Sequence, residues 1–522
     1  MKNFLLVIVS WVVVSFGQPA WVPFLAPISA CLGYGLFWRA LLKIPSRKRR
    51  FWLAAGWFCL VQMIQLSWMT STEFQGLYIL AVYAVLCLLL GLQFGAVSAC
   101  IDRIPYIAVA SIWTLIEWAR LYFFCGFSWN PLGLTLTAFT PSMQMASIFG
   151  ILGLSFWVVI TNLAVVKKKW TAWGALALFP YIFGWGHIFF HAADLENSRE
   201  LSVALVQTGL LPSQKTLINE RESEFIPFHD QWRNILTLLK ENPKKVDLIV
   251  LPEYAVPLSA ELGAYSFETT RHILQDVMKK DVSTLLPQKP PLSKVSNSFW
   301  VRLIADVFSA EVVVGLDARD GRQHFSSAFH VLPHNLQVNR YDKQILVPLA
   351  EYLPFSWLKK LTSRYGITEF FTHGKESKVF LGKVPLSISI CYEETFSHLI
   401  REGRLKGAEL LVNATNDNWY PASHLSRQHF DHARIRTVEN GVPMVRACNT
   451  GVTAAIDSLG RTLGKITDER KAGVLVAQVP LYHYPTLFTF WGNFGILSVC
   501  VGFLGLSYWK SRKYPSDLTC TK

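Results

Sequence analysis

KVPLSISICYEE, residues 383–394, is the stretch on which the reading of this chain turns. Its apolar residues are β-branched or Leu, its length suits a strand rather than a helix, and it stops abruptly at a polar triplet, so it reads as a strand buried on both faces. Cys391 closes that strand. A sulfur at a strand end, with a turn into a helix after it, is exposed and has backbone N–H groups nearby that can receive an oxyanion. That is where a nucleophile sits, although a free cysteine taken alone is more often a small core residue.

Working outward, runs of the same kind recur: LSVALVQ from 201, DLIVLPE from 247, AEVVVGLD from 310, AELLVNATND from 408, VPMVRACNTG from 442 and AGVLVAQVPL from 472. Polar helical stretches separate them, which predicts a layered α/β domain with strands buried on both faces. Ligands in such sheets sit at the carboxyl ends of the strands. Two more reactive side chains fall there or in nearby loops, Glu253 closing DLIVLPE and Lys343 in RYDKQILVPLAEYLPF (340–355). In isolation Glu253 reads as a solvated strand end and Lys343 as a surface cation.

The rest of the chain avoids water. Of 522 residues 51% are hydrophobic and only 16% charged, against roughly 25% charged in soluble domains. Apolar stretches near 3–17, 23–40, 51–69, 77–98, 105–124, 144–166, 170–190 and 485–509 approach the roughly 20 residues that span a bilayer. Eight transmembrane helices are expected, the first retained rather than cleaved, since no small-x-small site follows it. The domains expected are therefore 1–191 with helices 1–7, 192–484 as the polar catalytic domain, and 485–522 with helix 8 and a tail. The net charge of +14 lies in short blocks: Lys43 with Arg47 to Arg50, Arg103, Lys167 to Lys169, and Lys510 to Lys513. These share one side if eight spans alternate, and the excess of Lys and Arg marks that side as cytoplasmic. Nothing resembles a reading helix or stacking sheet, so nucleic acid is excluded as a partner. The nine cysteines form no CxxC pair, and Cys31, Cys59, Cys87, Cys100, Cys125 and Cys500 lie in or beside apolar runs, which argues against a disulfide framework.

The order Glu, Lys, Cys, in the contexts LPE, YDK and CYEE, resembles the nitrilase (carbon-nitrogen hydrolase) superfamily, where these residue types form the catalytic triad. Soluble members have no spans. With seven before the polar domain and one after, the chain resembles the apolipoprotein N-acyltransferase family over essentially its whole length. IEWARLYFFCGFSWNPLGLTL (116–136), with Glu117, Arg120, Gly126, Phe127 and Trp129, is similar to that family's segment leading from a span into an outer loop. DKQILVPLAEYLP (342–354) is similar to its NKxxLVPxGExxP motif, and NDNWY (416–420) with RTVENGVPMVRACNTG (436–451) to its lid loop and closing strand. The chain departs from the family pattern at Leu251, Tyr254, Ala350, Ser128 and Pro421. The alanine and the proline narrow backbone freedom where the family has glycine.

The resemblance implies an α-β-β-α sandwich joined to the membrane bundle, and a two-stage acyl transfer. Cys391 takes an acyl group from a phospholipid as a thioester, and the α-amine of the diacylglyceryl-modified N-terminal cysteine of an apolipoprotein then receives it. In this reading the Lys343 ammonium helps Cys391 ionise, Glu253 moves the proton, and the Tyr392 N–H and Lys343 meet the oxyanion. Glu351 and Glu393 orient Lys343 or tune Glu253, although Glu393 could instead cap the helix after Cys391. Trp419 and Tyr420 of the lid, with Trp357 among Phe355, Leu358, Phe370 and Phe371, contact substrate or the membrane interface, or are core aromatics. Glu117 and Arg120 read equally as an interfacial anchor or a headgroup contact. His424, His429 and His432, spaced five and three, make a poor metal site and read as surface or supporting histidines. No cofactor and no metal are expected. A monomer in the bacterial inner membrane is expected, with its catalytic domain periplasmic and both termini cytoplasmic. The competing readings are a membrane-tethered amidase or nitrilase that releases its acyl group to water, and a transporter or assembly factor with a dead enzyme domain.

Overall fold

The computed structural model describes the chain except residues 124–125, 243, 280–293, 356–369 and 514–522. The described residues divide into two compact units: residues 1–192, 423–440 and 485–522 form one, residues 193–422 and 441–484 the other.

The second unit is the α/β domain. One six-stranded sheet runs in the order Gly473–Pro480 (β14), Glu200–Gln207 (β1), Leu248–Val250 (β2), Glu311–Asp320 (β5), Gln323–Val331 (β6) and Val338–Asp342 (β7). The other runs Thr462–Lys465 (β13), Ala454–Ile456 (β12), Met444–Cys448 (β11), Leu410–Thr415 (β10), Leu386–Ile390 (β9) and Val379–Phe380 (β8). Tyr265–Ser266 (β3) and Lys294–Val295 (β4) form a small separate pair. The central strands β1, β2 and β5, and β9, β10 and β11, run parallel, and antiparallel strands flank them. Val203, Leu205, Leu248, Val250 and Val313 of the first sheet share a core with Leu386, Ile388, Ile390, Leu410 and Val412 of the second. On its other face the first sheet packs against the helices Phe228–Lys240, Phe267–Met278 and Asn297–Phe308. This is the expected layered sandwich.

All seven predicted runs are strands. AGVLVAQVPL is not buried on both faces, however: β14 lies at the sheet edge, and only Val479 and Pro480 of it are buried. An edge strand has one neighbour, so solvent reaches the rest. The short strands β8, β12 and β13 and the polar pair β6 and β7 were not foreseen from the sequence. QHFSSAFHV carries Ser and His on faces that the fold buries, which defeats a reading by hydrophobic runs.

The first unit is helical. Helices occupy each of the eight apolar stretches: Lys2–Phe16, the composite helical segment Pro23–Leu41, Arg47–Gln65, Tyr78–Ala99, Tyr106–Arg120, Ala146–Val166, Trp170–Glu196 and Asn493–Lys513. Five of them, Pro23–Leu41, Tyr78–Ala99, Ala146–Val166, Trp170–Glu196 and Asn493–Lys513, are long and apolar enough to cross a membrane. Gly91 and Gly95 let Tyr78–Ala99 approach Arg47–Gln65 so closely that an added Cβ would fall 2.5 Å from the Ala55 carbonyl and 2.8 Å from that of Phe51. Small residues four apart are a common device for helix contact in lipid. The polar helix Leu425–Asn440 belongs to this unit, not to the α/β domain in whose sequence it lies.

Candidate active site

Glu253, Lys343 and Cys391 converge at the carboxyl ends of three strands, two from one sheet and one from the other. Pro252 cannot donate to the ladder, so β2 stops and the chain turns; Tyr254 takes a left-handed conformation (φ 51°) directly after Glu253. Gly315 of β5 lies against this turn, where a Cβ would fall 2.4 Å from the Glu253 Cα. Only glycine permits that approach. Lys343 follows β7 directly, and its N–H donates to the Ser326 carbonyl at 2.9 Å, which keeps it registered to β6. Cys391 follows β9 and is itself left-handed (φ 51°). A non-glycine residue held in that region stores strain of order 1–3 kcal/mol, and such strain gathers at functional sites. Here it turns the sulfur off the strand line, and Cys391 stays partly exposed.

Lys343 is 1% exposed and donates through Nζ to Glu253 Oε1 at 2.9 Å and to Glu351 Oε1 at 2.7 Å. Glu351 accepts the Val347 N–H at 2.7 Å on its other oxygen. A buried ammonium between two carboxylates stays charged: burial opposes this, but Glu253 and Glu351 together hold the Lys343 pKa well above its ordinary value. Burial raises the Glu253 carboxyl above the usual range, Lys343 pulls it down and Glu351 pushes it up again, while the neighbouring Cys391 thiol favours the charged form. Burial and the Glu253 charge also raise the thiol, and Lys343 only partly offsets them. The ammonium bonds two carboxylates, and its charge lowers the thiol only against the larger pull of burial and of Glu253.

Glu393 is fully buried, and its carboxylate accepts from the Tyr341 hydroxyl at 2.9 Å and from the backbone N–H groups of Gln344 (2.6 Å), Ile345 (3.1 Å) and Ile390 (2.8 Å). Burial lifts its pKa to about 7 against the pull of those donors. It therefore clamps the segment after Lys343 to the strand before Cys391. Capping is part of this and not an alternative to it, because the Ile390 N–H opens the short turn Cys391–Thr395. Tyr392 is buried in that turn, edge-on to Phe396. Trp419 is 41% exposed and Tyr420 half-buried, beyond β10 on the NDNWY loop. Trp357, with Leu358, lies outside the described residues. Phe371 donates its N–H to the Glu351 carbonyl at 2.8 Å.

His429 and His432 are buried and His424 is half-buried. They lie in the helical unit, where His424 stacks 3.8 Å from Trp21, His429 meets Trp129 edge-on at 5.1 Å, and His432 bonds the Trp129 carbonyl at 3.3 Å. Among the described residues no three His, Cys, Asp or Glu are grouped to hold a metal ion. Glu117, also in that unit, accepts the Trp113 indole N–H (2.8 Å) and the Leu132 N–H (2.9 Å), and lies 3.4 Å from Arg120.

Several residues around the site were not foreseen. Arg446, buried in β11, binds Glu394 at 2.9 Å and Asp417 at 3.1 Å, tying the turn after Cys391 to the base of the NDNWY loop. Asn449, just past β11, donates to the Glu253 carbonyl at 2.6 Å. Lys215 reaches the same turn. Only the position of Asn449 at a strand end was a visible signal.

Sequence profiles of two families match the chain, one described as carbon-nitrogen hydrolase over residues 202–484 and one as apolipoprotein N-acyltransferase N-terminal domain over residues 19–164. Similar proteins include the apolipoprotein N-acyltransferase of Chlamydia muridarum (strain MoPn / Nigg), 34% identical, with 96% of this chain and 95% of the relative covered. That of Chlamydia trachomatis serovar D is 32% identical, with 98% of each covered. That of Haemophilus ducreyi is 26% identical, with 95% of each covered.

Proposed function

The chain belongs to the apolipoprotein N-acyltransferase family, and we propose that Glu253, Lys343 and Cys391 are the groups with which it moves a fatty acyl chain from a phospholipid to an apolipoprotein amine. The observation that carries this assignment is the Lys343 ammonium lodged between Glu253 and Glu351, beside a cysteine held in a left-handed conformation at the end of its strand.

The steps follow from the charges. Cys391 Sγ attacks the ester carbonyl of the phospholipid while Glu253 takes the thiol proton. The negative charge on the carbonyl oxygen is met by Lys343 and by the N–H of Tyr392. When the C–O bond breaks, Glu253 returns the proton to the leaving alkoxide, giving a lysophospholipid and a thioester on Cys391. The α-amine of the diacylglyceryl cysteine then attacks the thioester, Glu253 accepts a proton from nitrogen, and the thiol is restored as the amide forms. Trp419, Tyr420 and Trp357 contact the lipid chains in this reading. No cofactor takes part. The enzyme works as a monomer with eight membrane crossings in the inner membrane of a bacterium, both termini cytoplasmic and residues 192–484 periplasmic.

The test is a two-step trap in phospholipid nanodiscs. Purified enzyme forms a hydroxylamine-sensitive acyl adduct on Cys391, and a diacylated lipopeptide discharges it at least tenfold faster than water does. Cys391→Ser forms no adduct. Equal discharge by water and by lipopeptide would favour the membrane-tethered amidase instead, and full activity of Cys391→Ser in cells would leave the domain without its enzyme role.

A further inference from the structure

Lys215 ends the short helix Pro212–Lys215 after β1 and is 1% exposed. Its ammonium donates to two uncharged oxygens, the Tyr254 carbonyl and Asn449 Oδ1, each at 2.5 Å. Asn449 is held in turn: Oδ1 accepts the Thr208 hydroxyl at 2.7 Å, its carbonyl accepts the Gly209 N–H at 2.7 Å, and Nδ2 donates to the Glu253 carbonyl at 2.6 Å. One lysine and one amide thus grip two successive carbonyls, those of Glu253 and Tyr254, on either side of the left-handed Tyr254. A strained turn persists where its surroundings over-determine it.

The same lysine is buried and, among the described residues, bonds to no carboxylate. Burial brings its pKa down to about 7, with the Glu253 charge pulling the other way. The groups facing it are the Glu253 carboxylate and the Tyr254 ring, 5.9 Å from Nζ; Glu224 on the neighbouring turn is taken by the Ser213 hydroxyl. The groups facing Glu253 are Lys343, Glu351 and Cys391. Lys343 is shared with Glu351, so Glu253 has a second cation behind it.

We propose that Lys215 is a positioning residue for the acyl transfer, a buried cation behind the base that fixes the Glu253–Tyr254 turn and helps hold the Glu253 carboxylate ionised. The proposal rests on Glu253 being the base. Lys343 faces the sulfur and the substrate carbonyl; Lys215 acts only through the backbone and the field at Glu253.

The experiment follows the pH dependence of Cys391 acylation in full-length enzyme in phospholipid nanodiscs, for the native chain, Lys215→Met, Lys215→Arg and Glu253→Gln. Loss of one positive charge near Glu253 moves the acid limb of the Lys215→Met profile up by about one pH unit. An unmoved limb, whether or not the plateau rate falls, overturns the proposal. If Lys215→Met does not fold, Lys215→Arg decides. The native profile carries a contribution near pH 7 where the lysine loses its proton, beside that of Glu393, and an arginine that stays charged removes the lysine's part; profiles that coincide in the native enzyme and the arginine variant overturn the proposal. Glu253→Gln separates the two claims: rapid acylation in that variant refutes the base itself, whereas a dead Glu253→Gln beside an unmoved Lys215→Met counts against Lys215 alone.

Discussion

At the scale of single residues, the site is an arrangement of charges in which Glu351 has a distinct part. It shares the Lys343 ammonium with Glu253 and also raises the Glu253 carboxyl by its own charge. A base whose pKa is raised is protonated, and idle, until the pH climbs through that raised value. Acylation of native enzyme therefore switches on above the ordinary carboxylate range, near 4.3 for glutamate. Glu351→Gln keeps an oxygen for Lys343 but removes the like charge, so the acid limb moves down, by up to about one pH unit. The rate of Cys391 acylation against pH reads this, and a limb that stays in place or rises would show that Glu351 acts on Glu253 only through Lys343. The place of Cys391 was legible from sequence because a short, β-branched apolar run stops there, and the structure ends a fully buried strand at Ile390. Lys215 was not legible. In PSQKT it is one lysine among many, and its meaning comes from burial against a turn 39 residues away.

At the scale of elements, the least legible piece is Leu425–Asn440. LSRQHFDHARIRTVEN reads as a solvated helix, yet all but three of its residues are buried and it belongs to the helical unit. Its polar side chains serve as partners for backbone left open by broken helices. The helix Ala146–Val166 is interrupted at Gly150 (φ 64°), where a Cβ would meet the Phe488 ring at 2.5 Å. The break frees the Ile151 N–H, which donates to Glu439 Oε1 at 2.8 Å, while Glu439 is paired with Arg436 at 2.9 Å. Glu439 thus caps the second half of an apolar helix from another segment of the chain, and hydropathy gives no hint of such a role. Glu439→Ala leaves a buried donor and a buried guanidinium without that carboxylate, a loss of about 1–3 kcal/mol for the donor and more for the charge. Thermal unfolding of the detergent-solubilised enzyme should fall by several degrees, with Glu439→Gln recovering part of it. An unchanged midpoint for the alanine variant would mean that water or another group serves the Ile151 N–H.

At the scale of the whole molecule, the side of the membrane on which chemistry occurs depends on helix lengths and basic ends. Two helices bracket residues 197–492 and both are long and apolar enough to cross, Trp170–Glu196 and Asn493–Lys513. The first follows Lys167, Lys168 and Lys169; the second ends in Lys510, Arg512 and Lys513. If basic residues are retained in the cytoplasm, those two helices alone carry the proposal that residues 197–492 lie on the outer side, whatever happens upstream. The N-terminus is more exacting. Lys2–Phe16 and Tyr106–Arg120 have 15 residues each, about 22 Å at 1.5 Å per residue, short of a hydrocarbon core of about 30 Å. Arg47–Gln65 begins with four basic residues. Such helices cross only where flanking residues or a thinned bilayer make up the difference, and each one that fails to cross moves everything before it to the opposite side. Alkaline phosphatase fusions, active only outside the cytoplasm, resolve the two questions separately. Fusions within residues 72–75 and just after Glu196 should be active, and those near Arg49, Arg103, Lys168 and Lys513 inactive. Activity near Arg49 with none at 72–75 would remove a crossing upstream and leave the catalytic side intact, whereas an inactive fusion after Glu196 would place Cys391 in the cytosol and end the proposed reaction with periplasmic lipoproteins.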